Sequence, residues 1–237
     1  MTEQTSVFIG IDVQLVRDLA YTVMDSDGRV IDNGWLDSSG PRHAAELLAD
    51  KHPAAVVGID APRVPLRVPR QHYWTGGSWR RKRSSDKGFG RHCEVVISAC
   101  GLARPQWTPT AEQARDWMIT GFELFRGLDA AGLKTEEVFP SAAYRMLAED
   151  MQAQVQIRLK GFLPGPKDML DSVIAAFTVK EFIQGRGCAV GGGDGLGVIV
   201  LPRPIDHPNA GQVGIWPVSY THLTLPTNVQ QCRSRWS

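Results

Sequence analysis

Asp168 and Asp171 stand three residues apart in Pro166–Gly185, PKDMLDSVIAAFTVKEFIQG, a stretch that otherwise reads as a buried helix. A proline suits the first helical turn and Gly185 can end the run. Leu170, Val173, Ile174 and Phe177 follow the i, i+3, i+4, i+7 spacing of an apolar face. The same geometry stacks the two carboxylates on one side of the first turn. Two more acids close apolar runs earlier in the chain, in the matching strings Ile9-Gly10-Ile11-Asp12 and Val57-Gly58-Ile59-Asp60. Singly, each acid has an ordinary explanation: helix N-termini favour negative charge, and an Asp at a strand end can cap the following turn. Together they form an all-oxygen donor set of the kind that holds hard divalent cations, Mg²⁺ first and Mn²⁺ as its usual substitute. Two such ions about 3.5–4 Å apart can activate a water, stabilise a pentavalent phosphorus and neutralise the leaving oxygen of a phosphodiester. In that scheme Asp12 bridges the ions, while Asp60 and the Asp168/Asp171 pair hold one each.

The elements that would position these acids are legible in order. Val7–Asp12, Leu19–Met24 and Arg29–Leu36 are strand-like, and Asp25-Ser26-Asp27-Gly28 between the last two is hairpin chemistry. They predict a three-strand antiparallel meander. Pro41–Lys51 predicts a helix and Ala55–Asp60 a further strand. A strand, a helix and a strand in this order favour a right-handed parallel crossover that sets the new strand beside the first. In matching register Asp12 and Asp60 then lie side by side. Each glycine two residues earlier shares its Asp's face and leaves room there for a helix. Further along, His92–Leu102 predicts a short helix. Thr110 and Gln113 have capping-box spacing at the start of a helix predicted to reach Ala131. Lys134–Phe139 predicts a strand, Ser141–Leu147 a helix after Pro140, and Gly197–Leu201 a last apolar run. The turn Gly191–Gly195 lacks the GxxxxGK[ST] text of a phosphate loop. The fold class expected is α/β: a mixed sheet, meander plus parallel strands, with flanking helices.

Between Arg63 and Arg91 the composition changes. Arg63, Arg67, Arg70, Arg80, Arg81, Lys82, Arg83, Lys87 and Arg91 are opposed only by Asp86, with Tyr73, Trp74, Trp79 and Phe89 interleaved. Glycines at 76, 77, 88 and 90 predict an irregular segment. Basic groups with exposed aromatics suit a surface that tracks a phosphate backbone and stacks bases, with Arg80, Arg81, Lys82 and Arg83 as phosphate contacts. The plainer alternative is a solvated loop that its aromatics pin down.

Composition sets few other limits. Lys and Arg total 26 against 25 Asp and Glu, so no global field advertises a polyanionic partner. Cys93, Cys100, Cys188 and Cys232 form no CxxC pair, which argues against structural zinc and fits reduced thiols. The opening MTEQTS has no leader-like basic and apolar regions, and no apolar run is long enough to span a bilayer. A cytoplasmic location is expected. Residues 1–205 are expected to form one domain, with 63–109 as a basic insertion and 206–237 as a C-terminal tail. Within that tail 217–237, PVSYTHLTLPTNVQQCRSRWS, resembles a translated sequencing adapter and is expected to be non-native.

The predicted order of meander, helix, parallel strand, further strand and late helix resembles the ribonuclease H-like fold. The chain also resembles a more specific group, the predicted nucleases of domain of unknown function 429. The matching text is GID at Gly10–Asp12, GIDAP at Gly58–Pro62, RHCE at Arg91–Glu94 and WMITGFELFRGL at Trp117–Leu128. It continues with EVFPSAAYRML at Glu137–Leu147, KDMLDSVIAAFTV at Lys167–Val179 and GLGVIVLP at Gly195–Pro202. By analogy with RuvC-type junction resolvases, the resemblance implies Asp12, Asp60, Asp168 and Asp171 as the four metal ligands. Glu94 and Glu137 match further acids of the family pattern. In such a nuclease Arg91 is expected to steady a substrate phosphate, and His92 is a candidate proton donor to the leaving group. DNA or RNA is the partner implied. Two other readings fit the same fold: a nucleic-acid-binding or scaffold protein without turnover, and an actin-like ATP-binding phosphotransferase. Against the second, the chain is short and lacks Ser/Thr-bearing phosphate loops.

Overall fold

The computed structural model describes residues 7–15, 17–148 and 167–217. Three strands open the chain: β1 (Phe8–Asp12), β2 (Leu19–Met24) and β3 (Val30–Leu36). The predicted turn joins β2 to β3, with Gly28 at φ 82° and its N–H donating to the Asp25 carbonyl at 3.0 Å. Helix α1 (Pro41–Lys51) crosses to β4 (Val56–Asp60). The chain continues through a hairpin of β5 (His72–Thr75) and β6 (Ser78–Arg81), helices α2 (His92–Ala99) and α3 (Asp116–Ala130), and strand β7 (Lys134–Glu137). The last described elements are α4 (Pro140–Leu147), α5 (Lys167–Ile183), the hairpin β8 (Cys188–Gly191) and β9 (Val198–Leu201), and α6 (Ala210–Val213).

The main sheet has the order β3-β2-β1-β4-β7. Its first three strands are the antiparallel meander, and β4 and β7 join in parallel. This is the ribonuclease H-like arrangement. Alternation along β1 sorts its residues between two layers. Ile9 and Ile11 join Leu48 of α1 and Leu124, Phe125 and Leu128 of α3 on one face, while Phe8 packs with Val173, Ile174 and Phe177 of α5 on the other.

Register β1–β4 pairs Gly10 with Gly58 and Asp12 with Asp60. The helix for which the glycines leave room is α5. A Cβ on Gly10 would lie 1.9 Å from the Ser172 carbonyl oxygen and 2.3 Å from the Ala176 nitrogen, and one on Gly58 2.9 Å from the Ala175 carbonyl oxygen. Small residues on both elements therefore bring helix and sheet into backbone contact. Sequence periodicity predicts one buried face for α5, yet every residue from Asp171 to Glu181 is buried. The sheet covers one side, and α4 and β9 pack on it as well.

Three predicted features differ. The segment expected to be irregular carries the β5–β6 hairpin, its turn made by Gly76 and Gly77 at φ 58° and 79°. The helix expected from Thr110 to Ala131 is broken: a 3₁₀ turn at Ala111–Gln113 is followed by extended Ala114 and Arg115 before α3 begins. Thr110 is the N-cap of that turn and also forms a parallel bridge to Leu66, whose N–H bonds the Pro109 carbonyl at 2.9 Å. Packing also continues past residue 205: Val213 is fully buried, and the Trp216 ring lies 5.1 Å from that of Trp79. Residues 218–237, which hold nearly all of the segment expected to be non-native, lie outside those described, as does Cys232. Cys93, Cys100 and Cys188 are buried. No described helix is long and apolar enough to cross a membrane.

Candidate metal centre

The parallel register and the approach of α5 bring three acids together at one end of the sheet. One carboxylate oxygen from each of Asp12, Asp60 and Asp171 lies within 4.8 Å of the other two. Asp12 closes β1, Asp60 closes β4, and Asp171 projects from the first turns of α5, which Gly10 and Gly58 let settle against them. They line a cleft of about 450 Å³ whose walls also include Arg91, Glu94, Thr108, Glu137 and Lys167.

Electrostatics show what this crowding costs. Burial, then the charges of Asp171 and Asp168, raise the Asp12 pKa from 3.8 to about 7. Asp60 is pushed well above the ordinary carboxyl value by burial, then by Asp12 and Asp171. In the metal-free protein the cluster therefore retains a proton near neutrality. Lys167 supplies a cation, its ammonium donating to Asp171 from one helical turn away. Although burial opposes it, the bond to Asp171 and the charges of Asp171, Asp12 and Asp60 raise the Lys167 pKa. The Tyr144 hydroxyl donates to the other Asp171 oxygen at 2.9 Å. Neither Lys167 nor Tyr144 follows from the acid spacing, although Lys167 at i−4 from Asp171 is a visible helical pair.

Asp168 does not join the group of three. Its Oδ2 lies 3.1 Å from Arg17 Nη2, although its charge reaches Asp12. The remaining expected residues are placed as follows. Arg91 is fully buried, and its guanidinium is held between two acids. Nε and Nη2 donate to Glu94 Oε1 at 3.0 and 2.9 Å, and Nη1 donates to Glu137 Oε2 at 2.7 Å. Glu94 also accepts from the Thr108 N–H at 2.9 Å, and Glu137 from the Arg63 N–H at 2.8 Å. The group thus ties α2, β7 and the loops behind the cleft into one charged wall. An arginine so engaged is not free to grip a phosphate, which corrects the expectation for Arg91. Replacing Arg91 with Met is expected to cost about 3–5 kcal/mol, because two buried carboxylates lose their cation. Chemical denaturation checks this, and adding Glu94→Gln and Glu137→Gln to the same variant should recover part of the loss.

His92 is also corrected. It is fully buried and absent from the cleft wall, its Nδ1 accepting from the Gly193 N–H at 3.0 Å. Its Nε2 lies 2.8 Å from the Val213 carbonyl, so the neutral ring donates there. Burial lowers its pKa, and it packs against Trp79 and Trp216. A ring with both nitrogens engaged has no proton to give a leaving group in the cleft.

In the basic hairpin, Arg80 pairs with Asp86 through two bonds of 2.7 and 3.0 Å. Arg81 and Arg83 are exposed and Lys82 is partly covered. Trp74 and Trp79 meet edge to face at 5.4 Å and pack on the α2 cluster, so these aromatics pin the hairpin rather than face solvent.

A divalent ion bound by oxygens at about 2.0–2.6 Å holds those oxygens within about 4–5 Å of one another, which the three acids satisfy with little movement. Their donor chemistry and the cation already drawn in fit such an ion. A pH dependence follows. The folded state holds the Asp12 proton to about 7, whereas an unfolded Asp releases it near 3.8. Its contribution to metal-free stability is therefore complete below about pH 4 and is lost as pH rises through 7. In chelator, the melting temperature should fall across that window, and the fall should be shallower in Asp12→Asn. Parallel profiles for the two proteins would contradict the assignment.

No protein-family model matches the chain, and no curated protein matches it. Among solved structures, Thermus thermophilus RuvC in complex with a Holliday junction substrate is similar, with a TM-score of 0.39 and 12% identity. The match covers 76% of this chain and 96% of that one.

Proposed function

We propose that this protein is a metal-dependent nuclease in which Asp12, Asp60 and Asp171 hold Mg²⁺ or Mn²⁺ and nucleic acid is the substrate. The observation that carries it is the convergence of three carboxylates from β1, β4 and α5 at one cleft of a ribonuclease H-like sheet. A divalent ion bound there supplies the charge that activates a water and neutralises the leaving oxygen of a phosphodiester. The chain's own residues prepare that site. Tyr144 fixes one Asp171 oxygen, the Arg91 clamp holds the far wall, and Lys167 offsets negative charge until metal binds. Asp168, one turn ahead, completes the four-acid set expected from the sequence once it leaves Arg17. Arg81, Lys82 and Arg83 are the basic groups of the hairpin left for a nucleic-acid backbone.

The test compares wild type and Asp12→Asn, purified identically, on single-stranded, duplex and branched DNA and RNA with Mn²⁺ or chelator. Metal-dependent cleavage by wild type alone is the expected result. Equal cleavage by both would assign the activity to a contaminant. Binding without metal-dependent cleavage would favour the non-catalytic reading.

Lys167 makes a separate, measurable contribution. As a cation already on Asp171, it competes with the incoming metal. Its ammonium is largely exposed, so the competition is worth only about 0.5–1 kcal/mol. Lys167→Met is therefore expected to bind Mn²⁺ roughly two- to fivefold more tightly by calorimetry. Weaker binding would make Lys167 a supporter of the metal site, not a competitor.

A further inference from the structure

Among the described residues three arginine or lysine side chains are buried: Arg70, Arg91 and Lys180. Arg91 is clamped by Glu94 and Glu137, and Lys180 is paired with Glu181 at 3.2 Å. Arg70, only 9% exposed, has no such carboxylate, and its Nε has no acceptor. Glu94 and Asp86 act on it through space, but they are already held by Arg91 and Arg80. Burial lowers its pKa, the direction expected of a cation without a counter-charge.

Two rings hold this guanidinium. Its Cζ lies 4.1 Å from the centre of the Tyr73 ring and 5.0 Å from that of Trp107. Such contacts stabilise the cation but offset only part of what burying an unpaired charge costs. Tyr73 also acts on it through a side-chain hydrogen bond, and a guanidinium carries five in-plane N–H donors, the fork that binds an oxyanion. Arg70 lines a cavity of about 400 Å³ that also includes Arg67, Gly90, Gly193, Trp216 and Asp194, whose carboxylate oxygens accept from the backbone N–H groups of His92 and Leu196. Arg67 is exposed on its rim. The cavity backs onto the acid cleft: Gly90 borders one and Arg91 the other, while Trp107 meets Arg70 and its neighbours Gln106 and Thr108 line the cleft.

We propose that the Arg70 cavity is a phosphate-binding subsite, taking a phosphate of the nucleic-acid strand whose neighbouring segment lies in the acid cleft. The identity of that strand rests on the nuclease reading, whereas the oxyanion site does not. The missing counter-charge is the ligand's. Arg67 adds a second, solvent-facing cation, and the wall shared with the cleft puts the subsite within reach of the same chain.

The experiment uses the full chain in chelator, so that cleavage plays no part. The probes are inorganic phosphate, a nucleoside monophosphate and a single-stranded oligonucleotide, with chloride matching ionic strength. Phosphate is expected to raise the melting temperature of wild type, to do so less in Arg70→Lys, and to have no such effect in Arg70→Met. Oligonucleotide affinity should fall roughly tenfold in Arg70→Met, and the slope of log K on log salt should flatten by about 0.7. Should Arg70→Met fail to fold, Arg67→Gln on the exposed rim decides: a severalfold weaker phosphate effect supports the subsite, and an unchanged one overturns it. Equal phosphate shifts in wild type and Arg70→Met, or none in either, overturn it too. Oligonucleotide binding indifferent to Arg70 would do the same while leaving the nuclease reading intact. An Arg70-dependent phosphate or nucleotide shift without oligonucleotide binding would keep the anion site, assign it to a free ligand, and count against the nuclease reading.

Discussion

Asp12→Asn is expected to lose about a thousandfold in metal-dependent turnover while retaining its fold and most of its nucleic-acid binding. The magnitude follows from charge. At an effective dielectric near 20, two unit charges 4 Å apart interact by about 4 kcal/mol, and a divalent ion doubles that. Asn keeps an oxygen in place, so about half of the interaction is lost, or roughly 4 kcal/mol, which is close to a thousandfold in rate. Asp12 is the acid to change first because its neighbours on both sides are also acids: it pairs with Asp60 across β1–β4 and faces Asp171 on α5. The same substitution removes repulsion from the metal-free site, so the apo variant should melt no lower than wild type near pH 7. A variant that loses turnover and also melts well below wild type would indicate that Asp12 serves the fold, and single-turnover rates normalised to folded protein separate the two.

Much of this centre was legible because its determinants are local. Two Gly-x-Asp strings state, within four residues each, where a side chain must be absent and where a carboxylate must end a strand. Parallel pairing then follows from the intervening helix, and the matched register from the matching text. The acid spacing in α5 is equally local. That separation of signals also explains why Asp168 and Asp171 diverge: the spacing put both on one side of the helix, but Arg17, on the loop after β1, draws Asp168 away.

What could not be read is set by distant partners. Arg91 reads as an available cation beside a nuclease-like acid set, yet Glu137, 46 residues on, engages its guanidinium. His92 reads as a proton donor because nothing in its neighbourhood reveals the Val213 carbonyl, 121 residues away. The break before α3 falls at Ala114 and Arg115, after Thr110 has capped the first turn, where the local spacing marks no end to the helix. The hairpin is a different case. Gly76-Gly77 between two aromatic-bearing tetrapeptides is a recognised turn signal, and the flanking HYWT and SWRR pair across it despite the clustered charge.

Gly10→Ala should be the most damaging conservative change in the chain, because it acts on fold and site together. The added methyl carbon would sit 1.9 Å from the Ser172 carbonyl oxygen and 2.3 Å from the Ala176 nitrogen, both backbone atoms of a buried helix. Neither can rotate aside, so α5 must move off the sheet by an ångström or more. Its buried run from Asp171 to Glu181 loses contact with β1 as it moves. Overpacking of a core typically costs about 1–3 kcal/mol, and a clash against backbone belongs at or above the top of that range. For a domain of this size, about 3 kcal/mol lowers the melting temperature by roughly 6–12 °C. The chemical consequence is separable from the loss of stability. Asp171 rides on the displaced helix while Asp12 and Asp60 stay on the sheet, so the three oxygens no longer lie within reach of one ion. Gly10→Ala should therefore show weaker stabilisation by Mn²⁺ than wild type at temperatures where both remain folded. Gly58→Ala, with its nearest contact at 2.9 Å, should show the same pair of effects in milder form. If Gly10→Ala binds Mn²⁺ as wild type does, the acids do not depend on the helix-to-sheet approach, and the metal centre lies elsewhere.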